Sequence, residues 1–315
     1  MDRLDISIIR EMLESKATSP LDSNVRKSYS SISRKLGVDE NTIRNRIRKL
    51  RESGFLRGWR IAINPNLIDH QMAQVWFDVK APFRKQEAIK NVSLIPGVAV
   101  VKDLFGDSIC IVLYYEGEQT LKKVTDLIAN IAGSKNIISV NEPFPKCHIT
   151  LKHDDWRIIH GLQKDPTKPQ TLLAKELGLS AKTVKRRLSK LIDGDALYQV
   201  AELNPKSLSG SIICGLVVFY KDPASTHPVK ETIFSRIGQQ LIFANTDDVH
   251  HGYFALVITE VAAVREILDW TLQLPNVAGG RIDIVQDVIS IYGVYEEQLE
   301  KLRRSRYYAP SARRM

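Results

Sequence analysis

The sequence predicts an α+β protein in which one unit, a set of short helices followed by a βαββαβ segment, occurs twice in tandem. Short motifs recur in the same order in both halves, and most of their spacings agree closely. The main difference is a longer polar stretch over residues 15–28, which predicts a surface loop insertion in the first half. So many ordered matches indicate an internal duplication. The matched motifs are Asp5-x-x-Ile8-Ile9 with Asp155-x-x-Ile158-Ile159, Ile32-x-x-x-Leu36-Gly37-Val38 with Leu173-x-x-x-Leu177-Gly178-Leu179, Thr42-Ile43 with Thr183-Val184, and Asn64-Pro65 with Asn204-Pro205.

The opening of each half has the spacing of three short helices. In the first half, apolar residues repeat at helical spacing over residues 4–13, and a second helical pattern over 29–36 ends at Gly37. Asp39 is placed to cap a third helix, which stops at Gly54. A helix, a turn that contains glycine and a further helix are typical of a helix-turn-helix. The alternation over residues 55–63 predicts a hairpin wing behind it.

The remainder of each half predicts the order βαββαβ, the ferredoxin-like arrangement. In the first half these elements are predicted over residues 74–79, 86–94, 98–104, 109–115, 118–131 and 137–140, and in the second half over 212–220, 229–237, 241–245, 253–259, 261–272 and 282–292. Helices cover one face of such a sheet, so the other face must meet solvent or another sheet. We expect Val75, Phe77, Ile213 and Leu216 to form this second, apolar face.

These patterns divide the chain into five segments. Winged helix-turn-helix modules are predicted over residues 1–65 and 152–206, and ferredoxin-like sensor and dimerisation modules over 70–148 and 210–295. Residues 296–315 form a basic tail, which fits either a DNA-contacting arm or a segment without a specific role. Because the six basic residues from Lys301 onward account for +6 of the formal net charge of +9, the total charge alone does not indicate nucleic-acid binding.

Composition argues against several classes of protein. A chain of 315 residues with 43% hydrophobic and 26% charged residues is typical of a soluble, multi-domain protein. The sequence has no apolar stretch of membrane-spanning length and no signal-peptide pattern at its start. Cys110, Cys147 and Cys214 are scattered, which indicates reduced thiols and a cytoplasmic location. Phosphate-binding glycine loops, hydrolase nucleophile motifs and zinc-finger spacings do not occur, so the sequence predicts no cofactor and no catalysis.

The third helix of each half carries the residues expected to contact double-stranded DNA. With Ile43, Ile47 and Leu50 turned inward, amide and guanidinium groups point outward, as a major-groove reader requires. The equivalent helix of the second half exposes more cations and no amide, which is typical of phosphate contact. The candidate DNA-binding residues are Asn41, Thr42, Arg44, Asn45, Arg48, Lys49, Arg57 and Arg60 in the first half, and Lys182, Thr183, Lys185, Arg186 and Lys190 in the second.

Arg57 and Arg60 lie on the predicted wing, where they are expected to contact the minor groove or the phosphate backbone. Tyr198 and Val200 occupy the equivalent positions of the second half, which is therefore expected to bind DNA more weakly or in another way. Exposed cations often serve only to solvate a helix, and a helix-turn-helix also serves as a dimerisation module or scaffold. Both alternatives stay open for the second half.

A longer set of motifs runs through the first half and precedes its βαββαβ segment. It consists of Leu4-Asp5-x-x-Ile8-Ile9, Leu36-Gly37-Val38, Arg46-x-x-x-Leu50-x-x-x-Gly54-Phe55-Leu56-x-Gly58 and Asn64-Pro65. In order and spacing the chain resembles the Lrp/AsnC family of feast/famine regulators, once in each half. The resemblance implies a transcription regulator with a winged helix-turn-helix and a RAM-type sensor module, which dimerises through its sheet. It also implies double-stranded DNA as partner, a homodimer or higher homo-oligomer, an amino-acid-like small-molecule effector, and no membrane partner.

Two features depart from the family pattern. Members usually follow the hairpin glycine with an acidic-aromatic-acidic pattern, whereas this chain reads Gly106-Asp107-Ser108-Ile109-Cys110 and His251-Gly252-Tyr253-Phe254-Ala255. A pocket for ordinary amino acids is therefore not indicated. The second departure is the fusion itself, which allows the two halves to pair with each other or with a second chain.

The main alternative is an enzyme built on the same architecture. Siroheme decarboxylases share it, also occur as fused pairs, and hold tetrapyrrole with His, Tyr and Arg side chains, but their His-x-Tyr-x-Arg arrangement is missing here. His250 and His251 fit this alternative, and we expect them to lie on an exposed turn. A metal site from Cys147, His148 and His153 is not favoured, because adjacent residues on a strand point to opposite faces.

Overall fold

The computed structural model describes residues 1–12, 29–144, 146–147, 149–166, 168–245, 250–291 and 300. The chain forms two compact units, one of Met1–Ala62 with Pro145–Val288 and one of Ile63–Phe144 with Ile289–Met315. The predicted loop insertion at 15–28 lies outside the described residues, and so does the basic tail at 296–315 apart from residue 300. Within the described ranges, none of the helices combines the length and hydrophobicity needed to cross a bilayer.

The first helix-turn-helix forms where its sequence pattern predicts it. Its helices are α1 (Arg3–Met12), α2 (Tyr29–Leu36) and α3 (Glu40–Glu52), and strand β1 (Leu56–Ile63) follows them. On α3, Ile43, Ile47 and Leu50 recur at helical spacing and are buried where the helix packs on α1 and α2. Gly37 turns the chain between α2 and α3 at a φ of +67°, a conformation that glycine adopts without a steric penalty.

The first ferredoxin-like module has the predicted order of elements. These are β2 (Gln71–Asp78), α4 (Lys85–Val92), β3 (Val98–Leu104), β4 (Ser108–Tyr115), α5 (Gly117–Ala132) and β5 (Ile137–Glu142). The strands pair antiparallel in the order β5-β2-β4-β3. Apolar residues of the sheet, such as Val75 and Phe77, form one core with Ile89 of α4 and Ile128 of α5. Ile291 lies alongside strand β3 of this sheet, because its backbone N–H donates to the Ala99 carbonyl at 2.8 Å.

The second helix-turn-helix repeats the order of the first. Its helices are α6 (His153–Lys164), α7 (Gln170–Leu177) and α8 (Ala181–Asp193), and strand β6 (Leu197–Leu203) follows them. Val184, Leu188 and Leu191 are the buried residues of α8, at the spacing that α3 also shows. The helix-turn-helix prediction is therefore matched by the same local order of helices in both halves.

The second ferredoxin-like module has the same connectivity as the first. Its elements are β7 (Ile212–Tyr220), α9 (Thr226–Ile237), β8 (Leu241–Asn245), β9 (His251–Ile258), α10 (Val261–Leu272) and β10 (Val277–Ser290). The strands pair in the order β10-β7-β9-β8, so that the first strand lies between the fourth and the third, as in the first module. Leu216 and Phe254 pack beneath the two helices together with Ile233 and Ile267.

The prediction for the second sheet face is wrong for most of the residues named for it. Val75, Phe77 and Leu216 belong to the cores under the helices. Ile213 is out of step with Leu216 along β7 and lies on the opposite face, since neighbouring strand residues alternate between faces. The more apolar face of each sheet is thus the one that its own helices cover.

The hairpin wing predicted for the first half is also wrong. Residues 56–63 form one uninterrupted strand, and none of them has the positive φ that a tight hairpin turn requires. The strand β1 pairs instead with β6 of the second half. Next to this pairing, the backbone N–H of Asn204 donates to the carbonyl of Phe55 at 2.7 Å. The two helix-turn-helix modules are therefore joined by backbone pairing within one unit of the chain.

Candidate nucleic-acid interface

The outer face of α3 is polar and exposed. The side chains of Asn41, Arg44, Asn45, Arg48 and Lys49 are exposed, whereas Thr42 is half-buried at the start of the helix. These residues share one face because the buried positions of α3 recur every three to four residues. The structure therefore brings together the candidates that the sequence assigned to this helix, with Thr42 set partly below the surface.

Thr42 takes part in the cap of α3. Its backbone N–H donates to Oδ1 of Asp39 at 2.8 Å, and its hydroxyl donates to Oδ2 of the same carboxylate at 2.5 Å. These two hydrogen bonds lower the pKa of Asp39 below its usual value, and the bond from the Thr42 hydroxyl has the larger effect. The capped N-terminus fixes where α3 begins and hence which residues occupy its exposed face.

The arginines of this face have partners on the first helix-turn-helix itself. Arg44 Nη2 lies 2.8 Å from Oε1 of Glu40, and its guanidinium sits 5.3 Å from the centre of the Tyr29 ring. Arg48 Nη2 donates to Oδ1 of Asn45 at 3.3 Å. The Nε of Arg48 lies 3.9 Å from Glu52. The groups suited to base reading are thus accessible but held among neighbouring side chains.

Arg46 has a structural role that was not among the functions predicted from the sequence. Its Nη1 donates to Asp2 at 2.5 Å and to Asp5 at 3.3 Å, which ties α3 to the start of α1. The hydrogen bond to Asp2 raises the pKa of Arg46 above its ordinary value. Arg187 makes the equivalent contacts in the second half, with Asp155 at 2.9 Å and Asp154 at 3.1 Å. The recurrence of one Asp and one Arg in both halves is the sequence signal that identifies this pair.

The outer face of α8 carries cations without amides. Lys182, Lys185, Arg186 and Lys190 are exposed on it, and Thr183 is half-buried. The backbone N–H of Thr183 donates to Oγ of the capping Ser180 at 3.0 Å. This face can offer several positive charges to phosphate groups, whereas α3 also offers amide groups that suit base edges.

The two arginines assigned to the wing differ in accessibility. Arg57 is exposed on β1, but Arg60 is half-buried on the same strand. The burial of Arg60 follows from the strand itself, because β1 pairs with β6 and does not project into solvent as a hairpin. On β6, Tyr198 is buried and its hydroxyl donates to the carbonyl of Asp195 at 2.9 Å. The second strand therefore presents no cation at that position.

The hairpin between β3 and β4 is held by a buried lysine. Lys85 Nζ lies 2.6 Å from Oδ1 of Asp103 and donates to the carbonyl of Gly106 at 2.7 Å and to that of Leu104. This hairpin is the segment at which the sequence departs from the acidic-aromatic-acidic pattern. The backbone carbonyls of the turn are thus occupied by a side chain of the same module.

The prediction that both histidines lie on an exposed turn is wrong for His251. His250 is exposed, but His251 begins β9, pairs in register with Phe219 of β7 and is only 4% exposed. Two residues further along the strand, Tyr253 is also buried and points to the same sheet face. Residues 247–249, for which the sequence predicts a turn, and His148 lie outside the described residues. Among those that the structure describes, no group of three His, Cys, Asp or Glu side chains is placed to hold a metal ion.

Comparisons with known proteins place this geometry in a family. The AsnC-type helix-turn-helix domain matches residues 153–192, which span α6 to α8. The chain is 31% identical over 135 residues to the HTH-type transcriptional regulator FL11 of Pyrococcus horikoshii, covering 42% of this chain and 83% of that regulator. It is 27% identical over 140 residues to the HTH-type transcriptional regulator Ptr1 of Methanocaldococcus jannaschii, covering 43% of this chain and 88% of Ptr1.

A solved structure resembles the chain over nearly all of its length. The crystal structure of the siroheme decarboxylase NirDL matches with a TM-score of 0.56 at 15% identity, covering 95% of this chain and 99% of that one. At this identity the match shows a shared fold and does not assign an activity. The sequence matches carry the assignment instead: the chain belongs to the Lrp/AsnC family of helix-turn-helix regulators.

Proposed function

We propose that this protein is a sequence-specific, double-stranded-DNA-binding transcription regulator of the Lrp/AsnC type, with α3 in the major groove. The observation that carries the proposal is the exposed row of amide and guanidinium groups on the third helix of the first helix-turn-helix. Bidentate pairing of such groups with base edges is the usual chemistry of major-groove reading. The regulators FL11 and Ptr1 are relatives that support the same function.

The sites on the two halves have different tasks in this proposal. Arg44, Asn45 and Arg48 read bases, while Asn41, Thr42, Lys49 and Arg57 support the contact and Arg60 contributes from its half-buried position. On α8, the cations and Thr183 hold phosphates without reading sequence. The pairing of β1 with β6 joins the two helix-turn-helix modules, and we expect one chain to offer both surfaces to one stretch of duplex.

The proposed function is tested by selecting duplexes from a random pool with the full-length protein and then measuring affinity by gel shift. We expect a recurrent motif to emerge, and we expect the selected duplex to bind more tightly than a scrambled duplex of equal length and base composition. Specific sites usually exceed non-specific ones by about 10³-fold or more at physiological salt. Selection without any enriched motif would contradict sequence-specific recognition.

The architecture that we propose is a tandem duplication. Helix-turn-helix modules at 1–65 and 152–206, each followed by a single strand, alternate with ferredoxin-like modules at 70–148 and 210–295, and a basic tail follows at 296–315. The equal order of helices and the equal strand order of the two sheets support this division. Expression of residues 1–148 alone tests it. This fragment contains one complete repeat, but its strand β1 lacks the partner β6. We therefore expect it to fold only when two copies of the fragment associate.

Assembly and effector binding belong to the same proposal. The ferredoxin-like modules bring chains together as a homodimer or higher homo-oligomer, and an amino-acid-like small molecule is the candidate effector. Light scattering at micromolar protein concentration tests the assembly. A monomer there would leave pairing within the chain as the sole association of the two halves.

A siroheme decarboxylase-like enzyme is the second candidate function. It is favoured by the fold shared with NirDL and by the burial of His251 beside Tyr253 on one sheet face. Incubation with siroheme or haem, desalting and a visible spectrum separate the two functions. We expect no retained tetrapyrrole and no enzymatic activity, and a stoichiometric Soret band that disappears in His251→Ala would favour the enzyme.

A further inference from the structure

Two carboxylates flank the exposed face of α3, one at each end of the helix. Glu40 in the first turn forms the 2.8 Å ion pair with Arg44. Glu52 in the last turn lies 3.9 Å from Nε of Arg48. Each base-reading arginine therefore has a carboxylate one helical turn away, on the same helix. The N–O distance is shorter in the Glu40–Arg44 pair than in the Glu52–Arg48 pair, so the two carboxylates should differ in the size of their effect.

The second recognition helix is built differently. Ala181 stands where α3 has Glu40, as the matched positions Thr42 and Thr183 show. Within the part of the chain that the structure describes, no carboxylate pairs with the exposed cations of α8, which are Lys182, Lys185, Arg186 and Lys190. In the described part of the chain, the ion-paired arginines thus lie on the helix that carries amides, and the helix that lacks amides exposes cations without a paired carboxylate.

These pairs are too exposed to be explained by stability. The side chains of Arg44 and Glu40 are 60% and 45% exposed, and exposed ion pairs contribute little to folding. Their electrostatic effect on a polyanion is larger, because a carboxylate at the surface of a duplex meets several phosphates at once. An arginine held by its own carboxylate also loses that partner whenever it contacts DNA.

Cognate and non-cognate DNA compensate for the loss of the arginine–carboxylate ion pair to different extents. A correct base edge accepts two hydrogen bonds from one guanidinium, whereas non-specific binding relies on phosphate charge alone. A carboxylate next to the arginine therefore penalises non-specific binding and is offset only where the base contact forms. The Tyr29 ring supports Arg44 from α2 in the same DNA-free conformation.

We propose that Glu40, and more weakly Glu52, are specificity-determining residues that lower the affinity of α3 for non-cognate DNA. This inference rests on the proposed DNA-binding function and adds to it the residues that set discrimination. In the same arrangement α8 supplies general attachment, since no carboxylate among the described residues pairs with its exposed cations.

The test compares Glu40→Gln, Glu52→Gln and Glu87→Gln in the full-length protein. Glu87 is the matched control, because it is exposed, lies 3.0 Å from Arg84 and belongs to α4 of the first ferredoxin-like module. All three variants change the net charge equally. Affinity is measured by gel shift for the selected duplex and for a scrambled duplex, at two salt concentrations, and thermal unfolding by circular dichroism verifies the fold.

We expect Glu40→Gln to raise the affinity for the scrambled duplex by about three- to tenfold and that for the selected duplex by less than about twofold, as screened charge–phosphate interactions predict. Glu52→Gln should have a smaller effect in the same direction, and Glu87→Gln should leave the ratio of the two affinities unchanged. The enhancement should shrink at the higher salt concentration.

Two results would overturn the inference while leaving the proposed function intact. In one, Glu40→Gln leaves the ratio of affinities at the value of the Glu87→Gln control. In the other, Glu40→Gln weakens binding to the selected duplex, which would make the carboxylate a base reader. A wild-type chain that binds neither duplex at low salt would instead overturn the DNA-binding function, and this inference with it.

Discussion

Arg10 Nε donates a 2.8 Å hydrogen bond to the carbonyl oxygen of Leu241, 231 positions further along the chain and in the same compact unit. Arg10 Nη2 also donates to the carbonyl of Gly238 at 2.5 Å, at the C-terminal end of α9. A cation is favourable at this end of a helix, and burial lowers the pKa of Arg10 from its ordinary value. The first helix-turn-helix is therefore anchored to the second ferredoxin-like module.

Replacing Arg10 by Met should destabilise the protein by about 1–3 kcal/mol, because it leaves two partly buried carbonyls without their charged donor. The free energy of unfolding in urea gives the measurement. His160 occupies the equivalent position of α6 and is exposed, so His160→Met is the matched control and should change stability by less than about 0.5 kcal/mol. Equal effects of the two substitutions would show that the anchor contributes nothing.

The two Arg–Asp pairs that tie the third helix to the first should differ in strength. Asp155 and Arg187 have side chains only 4% and 20% exposed, whereas Asp2, the nearer partner of Arg46, is 52% exposed. Removing one partner of a buried pair leaves an uncompensated charge, so Arg187→Met should cost about 3 kcal/mol. Arg46→Met should cost less, because Arg46 is itself 33% exposed, its closer partner Asp2 is exposed, and its contact with the buried Asp5 is longer, at 3.3 Å. Urea unfolding of both variants would contradict this ranking if Arg46→Met were the more damaging.

DNA binding should separate the two recognition helices. Arg44→Ala or Arg48→Ala should each cost about 1–3 kcal/mol for the selected duplex and reduce discrimination at individual base pairs. Lys182→Ala, Lys185→Ala and Arg186→Ala should weaken binding to all duplexes alike, and removal of each phosphate-binding cation should lower the salt slope by about 0.9. Gel shifts over a salt series provide both quantities. Intact binding of the selected duplex by Arg44→Ala and Arg48→Ala would mean that α3 is not the reader.

The buried thiol of Cys214 should make the free energy of unfolding decrease at alkaline pH. Burial, and to a lesser degree Asp283, raise the pKa of this thiol from 9.0 to about 12. Because the unfolded chain ionises first, the contribution of Cys214 to stability is complete below pH 9 and decreases as the pH rises towards 12, by about 1 kcal/mol per pH unit. Urea midpoints of the wild type and Cys214→Ala across this range measure it. A Cys214→Ala variant with the same pH slope as the wild type would contradict the assignment.

Much of the local structure follows from local patterns in the sequence. The helix Tyr29–Leu36 and the strands Val98–Leu104 and Leu241–Asn245 have the bounds that their patterns predict, because periodicity and flanking glycines act within a few residues. The exposed face of α3 follows from the same periodicity. The cap at Asp39 was also predictable, because a short polar side chain directly before an amphipathic helical pattern is a preferred N-cap.

Contacts over long distances in the sequence could not be predicted in this way. The alternating pattern of β1 fits a hairpin as well as a strand whose partner lies in the other half, and only the tertiary structure decides between them. The anchor of Arg10 ends on backbone carbonyls, which leave no residue-specific signal in the sequence. His251 is polar and follows a segment whose sequence predicts a turn, yet the register of β9 with β7 places it inside the sheet.

The pairing of β1 with β6 has a consequence for how the protein can change over time. In a symmetric homodimer every substitution enters both subunits, so the two DNA-facing surfaces must stay identical. Here the paired strands belong to one polypeptide, and dilution cannot separate them because their effective concentration is set by the intervening chain. Each half is therefore free to accumulate its own substitutions, and the DNA sites it recognises need not be palindromes.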